Sequence, residues 1–273
     1  MSAGELARAA EVLQRCGDPD VRDVRLLHGG NCAVYIGSEL VLRVGRSWPL
    51  DTAQELSCWR VARGNGVPAP EEAGSGVLAD GCPYLVYRHV AGAPVESRSG
   101  LAAAGETLAS LHAVPGHRFP QATHNLPRRR ARYDTALRAG STVGIPGGSW
   151  ADALLRQAAE DWRTSREVAG HGDFRSPNLV SRRGRVALVL DWTDARAASP
   201  ESDLGQLAPN QLDHLLPGYR AHAPRQPDLD LVAGHVLARY VALEAGGVFP
   251  TGTSARIADL VKERLHRGRW GRG

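Results

Sequence analysis

Residues 171–191, which read HGDFRSPNLVSRRGRVALVLD, constrain the fold of this chain most strongly. Asp173 and Asn178 lie five residues apart, and a predicted short hairpin separates them from Asp191, which ends the apolar run VALVL. The fold must therefore bring two carboxylates and one carboxamide to loop positions beside short strands. Phosphoryl transfer requires such a set: a carboxylate that orients the attacking hydroxyl, and oxygen ligands for the magnesium ion of a nucleotide triphosphate.

The spacing of these residues assigns a role to each. Asp173 alone could simply form a turn or a helix cap, but together with Asn178 and Asp191 it is predicted to be the catalytic aspartate. Asn178 and Asp191 are the predicted magnesium ligands, because Mg²⁺ prefers oxygen and needs few protein ligands. His171 is interpreted as a residue that holds the loop. A zinc site built from His171 and the two aspartates is the rival interpretation, and no His-x-x-x-His or cysteine pair supports it.

The order of the predicted elements indicates an α+β fold with two lobes. Residues 1–91 combine an N-terminal amphipathic helix with β-rich runs around one further helix, which predicts a small antiparallel-sheet lobe that binds nucleotide. Gly92–Pro94 is the candidate boundary. Residues 92–273 are predicted to form a linker and a larger, mainly helical lobe with the catalytic loop and the acceptor site, one helix of which runs from about residue 203 to 222. A cleft is expected between the lobes.

An arginine on an apolar strand is the candidate phosphate contact. Arg43 lies in LVLRVG, where an inward-facing guanidinium can hold phosphates through its planar fork. The alternative is an edge-strand arginine that points to solvent. Glu55, in the helix that follows, is the predicted ion-pair partner, whereas Glu71 and Glu72 fit less well because they follow the prolines of VPAP.

Two backbone segments complete the predicted nucleotide site. The turn Gly29, Gly30 and Asn31 lies between two strands, where its N–H groups can approach phosphates, although most such turns are simple hairpins. The backbone of Arg88 to Val90, which leads out of the small lobe, is predicted to hydrogen-bond a purine. Because such contacts need no particular side chain, either ATP or GTP remains possible as the phosphoryl donor.

Composition limits the other function classes. The 273 residues are 42% hydrophobic and 23% charged, as in ordinary soluble proteins, and no apolar run reaches a membrane span of about 18 residues. The four cysteines form no C-x-x-C pair, which favours reduced thiols and a cytoplasmic location. The pI is about 9.1, but the basic residues are dispersed and no aromatic ladder accompanies them, so nucleic-acid binding is not expected. We expect a monomer or a homodimer.

Together these residues resemble the aminoglycoside phosphotransferase family, the antibiotic and small-metabolite kinases with a protein-kinase-like fold. The resemblance extends over most of the chain and is most specific in HGDFRSPNLV and VLDWTDARAASPESDLGQL. It implies that Asp173 is the catalytic aspartate, that Asn178 and Asp191 hold magnesium, and that Arg43 and Glu55 form the phosphate-holding pair. It also implies that Asp203 anchors the catalytic loop.

Two departures from the family pattern bear on function. Arg43 stands where many relatives carry lysine. Gly172 stands where protein kinases carry the arginine of His-Arg-Asp. No Ala-Pro-Glu segment follows Asp191, which leaves little room for a peptide-docking platform and favours a small acceptor.

The charge balance favours some acceptors over others. The net charge of +4 favours a neutral or weakly charged antibiotic, such as a nucleoside, peptide or macrolide, over a polycationic aminoglycoside. The predicted function is a magnesium-dependent O-phosphotransferase that confers antibiotic resistance. The alternatives are a metabolic kinase for a sugar or amino alcohol, and a nucleotide-binding pseudokinase that acts as an interaction module.

Overall fold

The computed structural model describes residues 3–28, 32–46, 50–120, 126–139, 149–268 and 270. In these residues the chain adopts the predicted α+β fold, with an antiparallel sheet in the first lobe and mainly helices in the second.

The first lobe is built on an antiparallel sheet. Its strands are β1 (Arg25–His28), β2 (Cys32–Ile36), β3 (Leu40–Gly45), β4 (Glu72–Val77) and β5 (Pro83–Arg88). They are hydrogen-bonded in the order β1-β2-β3-β5-β4, so β3 lies at the centre. In the register between β3 and β5, Arg43 lies opposite Leu85.

Two helices cover the opposite faces of this sheet. Helix α1 (Ala3–Arg15) packs its apolar residues with one face, and helix α2 (Thr52–Gly64) joins the main core on the other. Every residue of β3 is therefore buried, which explains why LVLRVG is almost entirely apolar. Asp51 caps α2, since its carboxylate accepts a hydrogen bond from the Gln54 N–H at 3.0 Å.

The second lobe contains the remaining described elements. Its helices are α3 (Arg98–His112), α4 (Leu126–Ala139), α5 (Ser149–Thr164), α6 (Pro200–Leu204), α7 (Pro209–His222), α8 (Leu229–Ala245) and α9 (Thr253–His266). Its strands are β6 (Ala93–Pro94), β7 (Val168–Gly170), β8 (Leu179–Arg182), β9 (Arg185–Val189) and β10 (Arg196–Ala198). Strand β7 pairs with β10, and β8 lies between β6 and β9. Helix α8 packs against α4, α5, α6 and α9, which accounts for its nearly uniform apolar surface.

The helix expected over residues 203–222 is interrupted in the structure. Asp203 lies in the short α6, and α7 begins only at Pro209, with Ala208 as its N-cap. Proline has no N–H and is favoured at the first position of a helix, so it starts α7 rather than continuing α6. The break lets Asp203 face the predicted catalytic loop, residues 171–178, while α7 packs along α3.

The lobes share one apolar core, which runs from α2 and the α2-facing side of the sheet into the helices of the second lobe. Backbone hydrogen bonds also join them, for example from the Val189 N–H to the Pro68 carbonyl at 2.7 Å. The boundary between residues 91 and 92 stays a prediction. Among the described residues, no helix combines the length and apolarity that a bilayer span requires.

Candidate active site

A buried aspartate in α6 fixes the backbone of the catalytic loop. The two carboxylate oxygens of Asp203 accept hydrogen bonds from the N–H groups of His171 and Gly172, each at 2.6 Å, and His112 Nε2 lies 3.2 Å from the same carboxylate. Burial would raise the pKa of Asp203, but the hydrogen bond and charge of His112 outweigh it and hold the pKa below its ordinary value. Asp203 therefore stays ionised and orients the start of the loop.

His171 links the loop to the strand that carries Asp191. Its Nδ1 accepts a hydrogen bond from the Asp173 N–H at 3.2 Å, so the ring proton lies on Nε2, which donates to the Leu190 carbonyl at 2.9 Å. The ring is fully buried against Trp192. Because both ring nitrogens are occupied, His171 positions Asp173 and the end of β9 rather than carrying protons to a substrate.

Gly172 has a backbone conformation that explains its departure from the protein-kinase pattern. Its φ is +80°, and a Cβ at this position would lie 2.3 Å from the carbonyl oxygen of Asp194. An arginine here would have to adopt an unfavourable left-handed backbone conformation, and its Cβ would clash with that carbonyl oxygen. The loop therefore requires glycine between His171 and Asp173.

Asp173 and Asn178 are in direct contact. The Asn178 side-chain nitrogen donates to the Asp173 carboxylate at 2.8 Å and to its carbonyl oxygen at 2.9 Å. Because Nδ2 is used in this way, the Oδ1 of Asn178 is the atom left to bind a cation. The same carboxylate accepts from Nε of Arg175, which lies 2.9 Å from both oxygens.

The charge state of Asp173 follows from its surroundings. Burial would raise the pKa of this carboxyl, but the charges of Arg129 and Arg175, with the hydrogen bond from Arg175, lower it below its ordinary value. Asp173 is therefore an ionised acceptor at neutral pH, suited to orient a hydroxyl and receive its proton.

Asp191 lies at the same end of the β8–β9 hairpin as Asn178. The Leu190 N–H donates to the Asn178 carbonyl at 2.7 Å, which pairs the two chain segments just before Asp191. Asp191 itself has φ of +59°, a left-handed conformation that aspartate tolerates better than most residues. Such strain is often retained at functional sites, where it directs a side chain into the site.

A buried ionic cluster joins the two lobes at Asp191. Arg43 Nη1 donates to both oxygens of Glu55 at 3.1 and 3.0 Å, and its Nη2 lies 3.3 Å from Asp191 and 3.4 Å from the Thr193 hydroxyl. The Thr193 hydroxyl also donates to Glu55 at 2.7 Å. One guanidinium thus contacts a carboxylate in each lobe, which a single lysine nitrogen cannot do with the same geometry.

The charge of Arg43 is secured by this cluster. Its side chain is 10% exposed and that of Glu55 is 2% exposed, whereas Asp191 is 47% exposed. Burial would lower the pKa of Arg43, but the carboxylates of Glu55 and Asp191 raise it above its ordinary value. The sequence favoured Glu55 over two other acidic residues, and the structure pairs those two instead with exposed arginines: Glu71 with Arg88 and Arg63, and Glu72 with Arg60.

The structure describes only some of the other residues that were predicted to contact the nucleotide. Gly29, Gly30 and Asn31 lie outside the described residues. The Arg88 N–H donates to the Glu71 carbonyl at 3.0 Å, so within the predicted segment this N–H already has a partner. Val90 is half-buried against the main core at the edge of the first lobe.

A described cavity of about 640 Å³ lies beside this cluster rather than in it. It is lined by the linker, the catalytic loop at Ser176 and Pro177, and the start of α7. Asp173, Asn178, Asp191 and Arg43 do not line it, so the assignment of the site rests on their contacts and not on cavity size. Among the described residues no group of three or more His, Cys, Asp or Glu could hold a metal ion.

Sequence reasoning missed three polar residues of this region. Thr193 bridges the carboxylates of Glu55 and Asp191, and Arg129 forms an ion pair with Asp194. Arg129 lies in the run Arg128–Arg130, and nothing in the local sequence indicates its contact with Asp194. Thr193 follows Asp191 by two residues, but nothing in the local sequence indicates its contact with Glu55, 138 residues away.

The site combines three chemical capabilities. An ionised carboxylate at Asp173 can accept a hydroxyl proton, and oxygens of Asn178 and Asp191 suit a small hard cation. A guanidinium from the opposite lobe can neutralise phosphate oxygens.

Comparisons with known proteins agree with this chemistry. The family model described as the phosphotransferase enzyme family (APH) matches residues 22–235, more than half of the chain. Curated protein sequences gave no significant match.

Several solved structures share the fold. A choline/ethanolamine kinase family protein from Mesorhizobium loti is 22% identical, with 97% of this chain and 93% of that chain covered and a TM-score of 0.61. A macrolide 2'-phosphotransferase from Brachybacterium faecium is 17% identical, with 92% and 98% covered and a TM-score of 0.59. The aminoglycoside 2'-phosphotransferase-IIIa, solved with GDP, is 17% identical, with 96% and 99% covered and a TM-score of 0.61. At these identities the similarity establishes the fold.

Proposed function

Because the chain belongs to this phosphotransferase enzyme family, we propose that it transfers the γ-phosphoryl group of ATP or GTP to a hydroxyl of a small, antibiotic-like molecule. The observation that carries the proposal is the contact of Arg43 with Asp191 across the lobes, beside the Asp173–Asn178 pair. Residues 1–91 would bind the nucleotide, and residues 92–273 would supply the catalytic loop and the acceptor site.

In the proposed reaction Asp173 orients the acceptor hydroxyl and takes up its proton. A bond forms between the acceptor oxygen and the γ-phosphorus, the bond from that phosphorus to the β-phosphate oxygen breaks, and the nucleoside diphosphate leaves. Arg43 neutralises the phosphate charge, and Glu55 holds its guanidinium in place.

The oxygens of Asn178 and Asp191 fit a magnesium ion, which takes hard ligands and keeps phosphate oxygens and water in its remaining positions. When bound, magnesium supplies charge neutralisation and geometry for the triphosphate. Asp191 lies beside Thr193, whose hydroxyl oxygen is 2.9 Å from its carboxylate.

The purine contacts are proposed for the segment that ends the first lobe. The N–H groups of Arg88 and His89 donate to the Glu71 and Glu39 carbonyls. The Val90 N–H is therefore the donor that we assign to the base. Aminoglycoside 2'-phosphotransferase-IIIa was solved with GDP and spectinomycin phosphotransferase with ADP, so relatives of this fold support either donor.

The acceptor is proposed to be a natural product rather than a protein. A nucleoside, peptide or macrolide fits the basic chain better than a polycationic aminoglycoside does. A metabolic acceptor such as an amino alcohol is the second candidate, because a choline/ethanolamine kinase family protein shares the fold.

The test is a screen of hydroxyl compounds with magnesium and either triphosphate, read by mass spectrometry for a product about 80 Da heavier. With an acceptor in hand, Asp173→Ala should lower turnover by about 10²-fold or more, because a positioned proton acceptor contributes at least that factor. Arg182→Ala, an exposed change in the adjacent hairpin, is the control. Turnover of Asp173→Ala close to that of the control would refute the assignment.

A further inference from the structure

The catalytic aspartate lies among arginines. Arg175 contacts Asp173 directly, and the charges of Arg129 and Arg132 on α4 and of Arg239 on α8 also act on it. Helices α4 and α8 pack against each other. The region beside the catalytic loop is therefore strongly basic.

These arginines outnumber their carboxylate partners. Arg175 pairs with Asp173, and Arg129 pairs with Asp194. Among the described residues Arg132 reaches only the Gln206 side chain, at 3.3 Å, and the Arg239 guanidinium lies over the Tyr240 ring, 5.3 Å from its centroid. Two of these four arginines are paired with carboxylates, and within the described part of the chain no ion pair involves Arg132 or Arg239.

The two arginines without a carboxylate partner are half-buried. Burial and the repulsion from Arg129 lower the pKa of Arg132 to about 10, and burial, with the repulsion from Arg175, lowers the pKa of Arg239. Nε of Arg129 is also buried without a hydrogen-bond partner among the described residues. Arg132 and Arg239 are half-buried, and a half-buried cation with no carboxylate partner can bind an anionic ligand.

The phosphates of the nucleotide do not account for this cluster. Arg43 is paired with Asp191 and Glu55, and neither of these carboxylates has a described ion pair with an arginine of α4 or α8. Arg132 on α4 and Arg239 on α8 are instead partly exposed, and both belong to the lobe proposed to bind the acceptor.

We propose that the acceptor carries an anionic group, a carboxylate or a phosphate, beside its reactive hydroxyl, and that Arg239 and Arg175 bind this group. The proposal rests on the proposed function and replaces the neutral acceptor expected from net charge with an anionic one. Arg132 adds to the positive field that attracts the anion. Arg129, paired with Asp194, supports α4 against the loop.

The proposal also explains the contact between Arg175 and Asp173. In the structure Arg175 Nε lies 2.9 Å from both oxygens of Asp173, the atoms that must meet the acceptor hydroxyl. An anionic group on the acceptor competes for Arg175 and leaves Asp173 open to the hydroxyl. The acceptor thereby frees the carboxylate that it needs.

The test uses one sugar scaffold in four charge states, with magnesium and ADP saturating. Glucose is neutral, glucosamine cationic, glucuronate a carboxylate and glucose 6-phosphate a phosphate, and their binding is measured by calorimetry at constant ionic strength. We expect at least one of the two anions to bind at least tenfold more tightly than glucose and glucosamine, in line with charge-assisted hydrogen bonds. The stronger of the two identifies the anionic group.

Variants assign the effect to the cluster. Arg239→Gln should weaken binding of the preferred anion about tenfold or more, Arg239→Lys should retain part of it, and Arg130→Gln, an exposed change on α4, should leave it intact. If both anions bind no better than glucose, or if Arg239→Gln binds them like the Arg130→Gln control, the proposal is overturned. Thermal unfolding of each variant without ligand verifies its fold, and Arg132→Gln replaces Arg239→Gln if that variant does not fold.

Failure of the proposed function has a different signature. It would appear as no magnesium-dependent binding of ADP in the wild-type protein, whatever the sugars do. Binding of ADP without preference for the anions would leave the phosphotransferase in place and remove only the anionic acceptor.

Discussion

Replacing Arg43 by methionine tests the ionic cluster that joins the lobes. Glu55 would lose both hydrogen bonds from Nη1, at 3.1 and 3.0 Å, and keep the one from Thr193 at 2.7 Å. Its side chain is only 2% exposed, so water cannot replace the lost partner. Breaking a buried ion pair in this way costs about 3–5 kcal/mol of unfolding free energy.

Protonation of Glu55 sets the lower end of that range. Burial already raises the pKa of Glu55, and loss of the Arg43 charge, which lowers it, would raise it further, so uptake of a proton limits the loss at neutral pH. A carboxyl whose pKa is raised in the folded state stabilises it fully below the unfolded pKa and loses that effect as pH rises. The deficit of Arg43→Met should therefore be small near pH 4.5 and should grow towards pH 7.

Urea unfolding at several pH values measures these effects. Arg43→Met with Glu55→Met should recover to within about 1 kcal/mol of the wild type, because it leaves no unpaired buried charge. Arg60→Met breaks the exposed pair with Glu72 and should cost less than about 1 kcal/mol. A loss in Arg43→Met no larger than in Arg60→Met, or a loss independent of pH, would refute the reasoning.

Two further predictions concern the catalytic loop. Arg175→Gln should raise the pKa of Asp173, because the charge of Arg175 lowers it. The fall of kcat at acid pH, where the carboxylate is protonated, should therefore move to higher pH. A fall at the same pH as in the wild type would contradict the assigned direction of the pKa shift. Gly172→Ala should lower the unfolding free energy by clearly more than Gly184→Ala. Both glycines have a positive φ, of +80° and +76°, so the backbone penalty is similar. Only at Gly172 would the added Cβ clash with a backbone oxygen, that of Asp194. Equal losses in urea unfolding would contradict the clash.

The order of the elements could be predicted because it depends on local patterns. Alternation and turn residues indicated the β-rich runs and the one further helix of the first lobe, and the run LVLRVG coincides with β3. The helix expected over residues 203–222 was wrong, since the helical pattern continues through the sequence although Pro209 starts a new helix. The spacing of apolar residues along the sequence does not by itself reveal such a break.

Within the site, contacts between residues close in the sequence could be predicted, whereas contacts between distant segments could not. Asp173 and Asn178 could be proposed together because five residues separate them. The contact of Thr193 with Glu55 and the ion pair of Arg129 with Asp194 join segments far apart in the chain, and only the packing of the lobes and of α4 brings them together. Net charge likewise disfavoured a polycationic acceptor, but composition does not show where in the fold the individual arginines lie.

Calorimetric titration of the triphosphate with and without magnesium tests the central claim most directly, namely that Asp191 and Asn178 hold the metal opposite Arg43. Asp191→Asn is the best variant, because asparagine keeps the left-handed backbone at φ of +59° while the charge is lost. The account predicts that magnesium strengthens nucleotide binding in the wild type and has little effect in Asp191→Asn. The same magnesium enhancement in both proteins would contradict it.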